Sequence, residues 1–408
     1  MGTQKKGVRR LKENSRAQII LCIRMQGPLS KVQVAKLTGL GTTCVCDVCN
    51  ELLAEGVLID TGTVTGPRGR PMSLLSINPN GAPVAGVRIA PECIEIAVAT
   101  PTLDILARRT ISYEWEKDNA EATMDAIVAG IRRCAQAADT DILSLSGVGL
   151  AVHSMVDPVL GIVEGTHLPQ WNHVPIARDL EKRTGLPVVA DNCVRAGAIA
   201  HQWFSPERPR GRVFYICVSD GVGGALVYDQ EVVQGIRHSG NQLGHMMIDP
   251  EGPECECGNR GCLEACASDY AFIRQIWPGM SDGQKLTLAK REVLIKRGLD
   301  MMRGGDAKAT KAYNSVIKSL AMGLANATTL LGPGTIIVSG TIIDMAPNSA
   351  INDIRMKTMQ YIRNLDRGIE IRALLNQREF LTRGAIGLIL CQPYRDLRNG
   401  GPFLTSGA

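Results

Sequence analysis

Aromatic side chains are scarce in this chain: they make up 4% of its 408 residues, with five phenylalanines and four tryptophans. A protein with so few aromatics and a 45% hydrophobic fraction must build its cores from aliphatic side chains. Also missing is any run of about 18 apolar residues, which excludes a helical membrane span. The opening stretch, MGTQKKGVRRLKENSR, is basic and polar with no apolar h-region, so no signal peptide is expected and a cytoplasmic location is inferred. Without export, the 13 cysteines do not read as a disulfide framework; they are expected to be reduced thiols or metal ligands. The length is too great for one ordinary domain, and two or three are expected.

Positive charge is unevenly placed. The net charge is +5, yet residues 1–71 alone hold eleven Lys/Arg against five acids, leaving the other 337 residues at −1. A small basic segment ahead of a near-neutral body points to a polyanionic partner for that segment, the competing reading being a merely solvated basic face.

The pattern within the segment favours DNA. Residues 15–25, SRAQIILCIRM, carry apolar positions at helical spacing and stop at Gly27-Pro28. Ser30, with Gln33 three residues on, is a capping-box start for a second helix. Gly39 and Gly41 make a tight turn, and Thr42 is expected to cap a third helix, TTCVCDVCNELLAEG, with Val45, Val48 and Leu52 on one face and Gly56 as its stop. Two short helices across a glycine turn form the helix-turn-helix pattern, the second being available to the major groove. VLIDTGTVTGPRGRPMSLLSI then reads as two strands around a tip, the wing of a winged helix. In that tip, Arg68 and Arg70 are suited to a narrow A·T-rich minor groove. The outward face of the third helix presents Thr43, Cys46, Asp47 and Asn50, so base reading would rest on Asn50 and Thr43, and phosphate affinity on the tail and wing.

Cysteines occur in two clusters. Cys44, Cys46 and Cys49 lie in the third helix, where packing competes with redox sensing; Cys49 falls on the Val45/Leu52 side, as a small apolar residue would. Cys255, Cys257 and Cys262 are packed into CECGNRGC, and such a cluster could hold a metal that does chemistry, reads DNA or staples a loop.

After a polar linker around Asn78-Pro79-Asn80-Gly81, PVAGVRIAPECIEIAVATPTLDILARRTISY reads as three strands, then a helix, then the strand SGVGLAV. A similar opening recurs at RVFYICVSDGVGGALVYDQEVVQG. Two hairpin openings, each followed by helices, predict two related α/β lobes with a cleft between them.

From about residue 84 onward the chain resembles the ROK family of bacterial sugar kinases and sugar-responsive repressors. The resemblance rests most on HMMIDPEGPECECGNRGCLE, which is similar to the family's histidine followed by C-x-C-G-x-x-G-C-L-E. The N-terminal winged helix matches the repressor branch. The resemblance implies an α/β actin-like ATPase fold with two lobes. The expected division is a DNA-binding domain at 1–72, a linker at 73–83, one lobe at 84–205 and a second at 206–408, with the last helix able to pack back on the first lobe. It also implies that His245, Cys255, Cys257 and Cys262 hold one zinc ion, a closed tetrahedral set with no place for water and hence structural. Family sugar contacts fall on Asn192, His245 and Glu264 unchanged, on Gln242 where glutamate is usual, and on His167 of HLPQW where asparagine is usual.

The kinase residues have changed. The first phosphate loop, D-x-G-G-T-K in ROK kinases, is Arg88-Ile89-Ala90-Pro91-Glu92-Cys93 here. Proline removes a donor N–H, and glutamate sits where phosphate would lie. In the second loop, Ser219 to Gly224, Asp220 adds another negative charge. The catalytic aspartate aligns with Cys193, although a slipped register would bring Asp191 nearer. The expectation is a non-enzymatic transcriptional repressor of carbohydrate-related genes. It would bind double-stranded DNA at an inverted repeat as a homodimer or higher oligomer and respond to a sugar or sugar derivative. The alternatives are a sugar kinase with an added DNA-binding domain, and a repressor controlled by a protein partner or by cysteine oxidation.

Overall fold

The computed structural model describes residues 2–65, 71–113, 119–164, 169–228, 231–235, 240, 242–280, 286–362 and 368–398. The wing tip with Arg68 and Arg70, and the loop with His167, lie outside the described residues.

The first unit is helical with a two-stranded wing: α1 (Gly2–Gln26), α2 (Lys31–Thr38), α3 (Thr42–Ala54), β1 (Leu58–Thr65) and β2 (Pro71–Ile77). The helix expected at 15–25 runs back to Gly2. Ser30 and Gln33 form the reciprocal capping box that opens α2. Thr42 is not the cap of α3: Gly41 is, with no side-chain hydrogen bond, and Thr42 is the first helical residue. Ile19, Ile23, Val34, Val45, Val48, Cys49 and Leu52 meet Leu58, Leu75 and Ile77 of the wing in one core. Cys49 is fully buried there, which is packing, and burial pushes its thiol up to about 11. Because Leu75 and Ile77 fill this core, β2 takes up part of the segment expected as linker at 73–83, and the unit does not end at 72. What remains of the connection is the short stretch from Asn78, whose side chain donates to the Gly56 carbonyl at 2.7 Å, to Pro83.

The body contains the same strand order twice. Its first lobe runs β3 (Val84–Ile89), β4 (Cys93–Ala99), β5 (Ile105–Ser112), α4 (Ala120–Ala137), β6 (Val148–Val152), the hairpin β7 (Met155–Asp157) and β8 (Ile162–Glu164), α5 (Ile176–Thr184), β9 (Val188–Asn192) and α6 (Cys193–Phe204). Its sheet is ordered β5-β4-β3-β6-β9, antiparallel across β5, β4 and β3 and parallel across β3, β6 and β9. The second lobe runs β10 (Arg212–Val218), β11 (Val222–Tyr228), β12 (Glu231–Val232), α7 (Leu263–Ala267), α8 (Asp269–Ile276), α9 (Leu288–Arg303), α10 (Ala307–Leu331), β13 (Thr335–Gly340), α11 (Thr341–Met345), α12 (Pro347–Ile362), β14 (Glu370–Ala373) and α13 (Gln377–Arg398). Its sheet, β12-β11-β10-β13-β14, repeats the pattern of the first. Among the described residues no helix is long and apolar enough to cross a membrane.

The last helix, α13, returns to the first lobe. Its Ala385 lies so close to Gly149 of β6 that a Cβ there would be 1.8 Å from the Ala385 carbonyl oxygen. On its other side, a Cβ on Gly384 would sit 2.5 Å from the backbone nitrogen of Gly197 in α6. Phe380, Leu381, Ala385 and Leu388 then join α6 and strands of the second sheet in a core common to both lobes. Gly149→Ala should therefore force α13 off the sheet and cost about 1–3 kcal/mol by overpacking. A thermal melt should register this as a fall of roughly 2–4 °C per kcal/mol, and an unchanged Tm would refute this packing.

Candidate functional site

On α3 the structure separates two faces as the periodicity predicted. Val45, Val48, Cys49 and Leu52 point inward, while Thr43, Cys46, Asp47 and Asn50 are all exposed. The side-chain oxygen of Asn50 accepts from Lys31 Nζ at 2.6 Å, so a cation from α2 stands beside it. Two other basic residues are already engaged: Lys12 pairs with Glu51 at 2.6 Å and Arg16 with both oxygens of Glu55. These pairs tie α1 to α3 and leave Lys12 and Arg16 less available to phosphates than the linear charge pattern implied.

His245, Cys255, Cys257 and Cys262 come together with all four ligand atoms within 4.8 Å of one another. His245 Nδ1 lies 3.7 Å from Cys255 Sγ, and Cys257 Sγ lies 3.6 Å from Cys262 Sγ. Donors held about 2.3 Å from a tetrahedral ion are separated by roughly 3.8 Å, so this cluster has the donor set and the spacing to hold a metal ion. The loop is built for it locally: Gly258 and Gly261 adopt positive φ, and a Cβ on Gly261 would fall 1.5 Å from the Asp249 carbonyl oxygen.

Between the lobes lies a cleft of about 320 Å³. Asn192, Gln242, His245 and Glu264 all line it, so four of the five residues read as sugar contacts share one cavity. Glu264 is fixed by accepting from the backbone N–H of Val222 at 2.9 Å. Its oxygen comes so near Gly221 that a Cβ there would be 2.6 Å away. His245 joins the two sites, lining the cleft while one ring nitrogen faces the cysteines. Asn192 caps α6, its side-chain oxygen accepting from the N–H groups of Val194 at 2.9 Å and Arg195 at 3.2 Å. Asp191 is fully buried and bound to Arg195 at 2.6 Å, whereas Cys193 lines the cavity.

The two loops read as phosphate loops are joined by a residue that sequence reasoning missed. Arg291, buried on α9, places Nη1 2.7 Å from Glu92 in the first loop and Nη2 3.8 Å from Asp220 in the second. Its Nε is 3.3 Å from Asp269, which also accepts from Thr341 Oγ1 at 2.7 Å. Burial pushes Asp269 up to about 7 against the pull of Arg291. His153 lies 3.5 Å from Asp220 on the far side. Burial opposes its charge, but the neighbouring Asp220 carboxylate raises it to about 9. Arg88, standing in the first loop, is turned into a buried pair with Glu95 at 2.6 Å, to which Arg378 also binds. Nothing local marks Arg291 or His153 in the sequence, since each meets its partners only through tertiary folding.

Comparison with known proteins agrees with this geometry. The xylose repressor of Bacillus spizizenii is 24% identical over 333 residues, covering 82% of this chain and 83% of that protein. The glucokinase of Thermotoga maritima is 31% identical over 221 residues, covering 53% of this chain and 69% of that enzyme. A crystal structure of a ROK family transcriptional regulator, a homologue of the E. coli MLC protein, superposes with a TM-score of 0.77 at 24% identity over 94% of this chain and 98% of its own. The two lobes, with the N-terminal unit ahead of them, thus share the fold of that protein. With the ROK family profile matching residues 84–390, the chain belongs to the ROK family.

Proposed function

We propose that this protein is a DNA-binding transcriptional repressor of sugar-related genes, with the ROK body as its sensor of a sugar or sugar derivative. The observation that carries this is the union, in one chain, of an exposed α3 reading face and an interlobe cleft lined by Asn192, Gln242, His245 and Glu264. The kinship with a xylose repressor over most of both chains supports it. Asn50 and Thr43 read bases and Lys31 meets phosphate, with Cys46 and Asp47 beside them on the same face; Arg68 and Arg70 enter the minor groove from the wing. Two copies bind an inverted repeat, each placing α3 in one half-site. His167 belongs with the sugar contacts by its motif.

The sensing claim is tested by operator affinity with and without D-xylose, D-glucose and N-acetylglucosamine. At least one sugar should shift it by about 5–150-fold, the span of a typical coupling, and Glu264→Ala should abolish that shift. A wild-type affinity that no sugar moves would leave the cleft without this role.

The cysteine cluster holds zinc, one ion per chain, and its role is structural because His245 and three thiolates fill a tetrahedron. The ion would tie the loop from Pro253 to Cys262 and orient His245 toward the cleft. Elemental analysis of protein purified without chelators should find about one zinc per chain, and Cys257→Ser should lose it and melt at lower temperature. Metal-free wild type that melts as the zinc-loaded protein does would contradict this.

A kinase reading draws on Gly221, Gly223 and Gly224, which persist in the second loop, and on the glucokinase relative. Against it, Arg291 stands between the two loops in ion pairs with Glu92 and Asp220, Pro91 removes a backbone donor from the first loop, and Cys193 stands where a carboxylate base would be needed. No hexose or N-acetylhexosamine should be phosphorylated from ATP, and Cys193→Asp should not restore turnover because the loops are unchanged. Turnover above background with any of these sugars would establish the kinase instead.

A further inference from the structure

The DNA-binding unit does not hang from the body by its linker alone. Its first helix, α1, is shared: Ile19 and Ile23 lie in the winged-helix core, while Leu21 and Met25 pack against the core common to the two lobes. The seat is polar as well as apolar. The Arg24 guanidinium lies over the Phe204 ring, 5.0 Å from its centroid, and Nη1 donates to the Pro101 carbonyl at 2.6 Å. Arg208 Nη2 donates to the Met25 carbonyl at 3.1 Å.

Phe204 is the last residue of α6, and the first turn of α6 is capped by Asn192 from inside the cleft. One stiff element of 12 residues, about 18 Å at 1.5 Å per residue, therefore runs from the ligand cavity to the helix that carries the DNA-binding unit. Asn192 is nearly saturated. Its oxygen accepts from Val194 and Arg195, and its Nδ2 donates to the Ser154 carbonyl at 3.0 Å. One Nδ2 hydrogen is left for a ligand, so a ligand bond there acts directly on the side chain that caps the helix. Along its length α6 packs tightly on α13, backbone close to backbone at Gly197 and Gly384, with the Phe380 ring against Gly197 and Gly387 against Ala200, so the two helices are coupled as one layer.

We propose that α6 is the element by which the cleft acts on the DNA-binding unit: Asn192 sets its position at one end, and Phe204 transmits it to α1 through Arg24 at the other. The proposal rests on reading the body as the sensor of a repressor. A shift of α6, with the α13 side chains packed on it, moves the Phe204 ring under Arg24, and α1 moves with it because its other face is locked into the winged-helix core. Arg24 and Phe204 are thus positioning residues: they touch neither ligand nor DNA.

The test needs no sugar. A duplex selected by the wild-type protein from a random-sequence pool is titrated with wild type, Asn192→Ala, Phe204→Leu and the double variant. Sites at opposite ends of α6 are far enough apart for independent effects to multiply. Transmission through α6 predicts that the double variant departs from the product of the single effects on Kd by threefold or more. Asn192→Asp, which keeps a capping oxygen but loses the Nδ2 bond to the Ser154 carbonyl, should recover only part of the affinity change caused by Asn192→Ala. Agreement with the product within twofold would overturn the proposal. If Asn192→Ala does not fold, hydrogen exchange decides: adding the duplex should change protection of the Val194–Ala196 amides in wild type but not in Phe204→Leu, and no change in wild type overturns it. Failure to select any duplex would instead remove the repressor reading itself. A sugar-insensitive wild type that still shows the coupling would remove only the sensing claim.

Discussion

Glycine-to-backbone contact around α13 is the constraint on which the rest of the molecule depends. A helix can lie against β6 with Ala385 over Gly149, and against α6 with Gly384 over Gly197, only because no Cβ intervenes at those points. That double contact brings the end of the chain back to the first lobe and builds the core in which Tyr215, Cys217 and Ile337 of the second sheet meet Val194, Ala198 and Phe380. Two sheets with duplicate strand order thereby become one body with a cleft at the seam, and α6 is held where its first residues reach the cavity.

Across that seam one charged tie is Glu92 with Arg291, beside His153 with Asp220. Burying a guanidinium among carboxylates carries a large desolvation cost, recovered only where geometry and hydrogen bonding are good. Here they are incomplete: Glu92 Oε1, Asp269 Oδ1 and Arg291 Nε have no aligned hydrogen bond although the ions are close. A cluster left partly unsatisfied holds the lobes together less firmly than a fully bonded one. It nevertheless spans the loops of Glu92 and Asp220, so the lobes are brought together by the protein's own charges.

Local chemistry was legible in the sequence wherever one element carried the whole signal. The capping box at Ser30, the inward stripe of α3 with Cys49 in it, and the cysteine motif with its histidine all depend on residues near one another in the chain. The duplicated hairpin openings showed two lobes for the same reason. Three readings failed at element ends, where propensity competes with packing. Gly41 takes the cap from Thr42, α1 reaches back to Gly2, and β2 continues into the expected linker because Leu75 and Ile77 have a core to fill. Arg291 was invisible because its meaning lies in Glu92, Asp220 and Asp269, contributed by three other segments of the chain.

The spacing in α1 holds one more signal that a single-face reading overlooks. Ile19 and Ile23 are four apart, as are Leu21 and Met25, but the two pairs are offset by two residues and so lie on nearly opposite sides of a helix with 3.6 residues per turn. A helix apolar on opposite sides must be covered on both. One domain of this size covers one side, with Val45, Val48 and Leu52 in its core. The second side therefore requires another core, and Leu21 and Met25 find it between the lobes. The basic N-terminal segment is thus built into the body as well as attached to it by residues 78–83, and movement of the body at Phe204 reaches α1 through packed side chains.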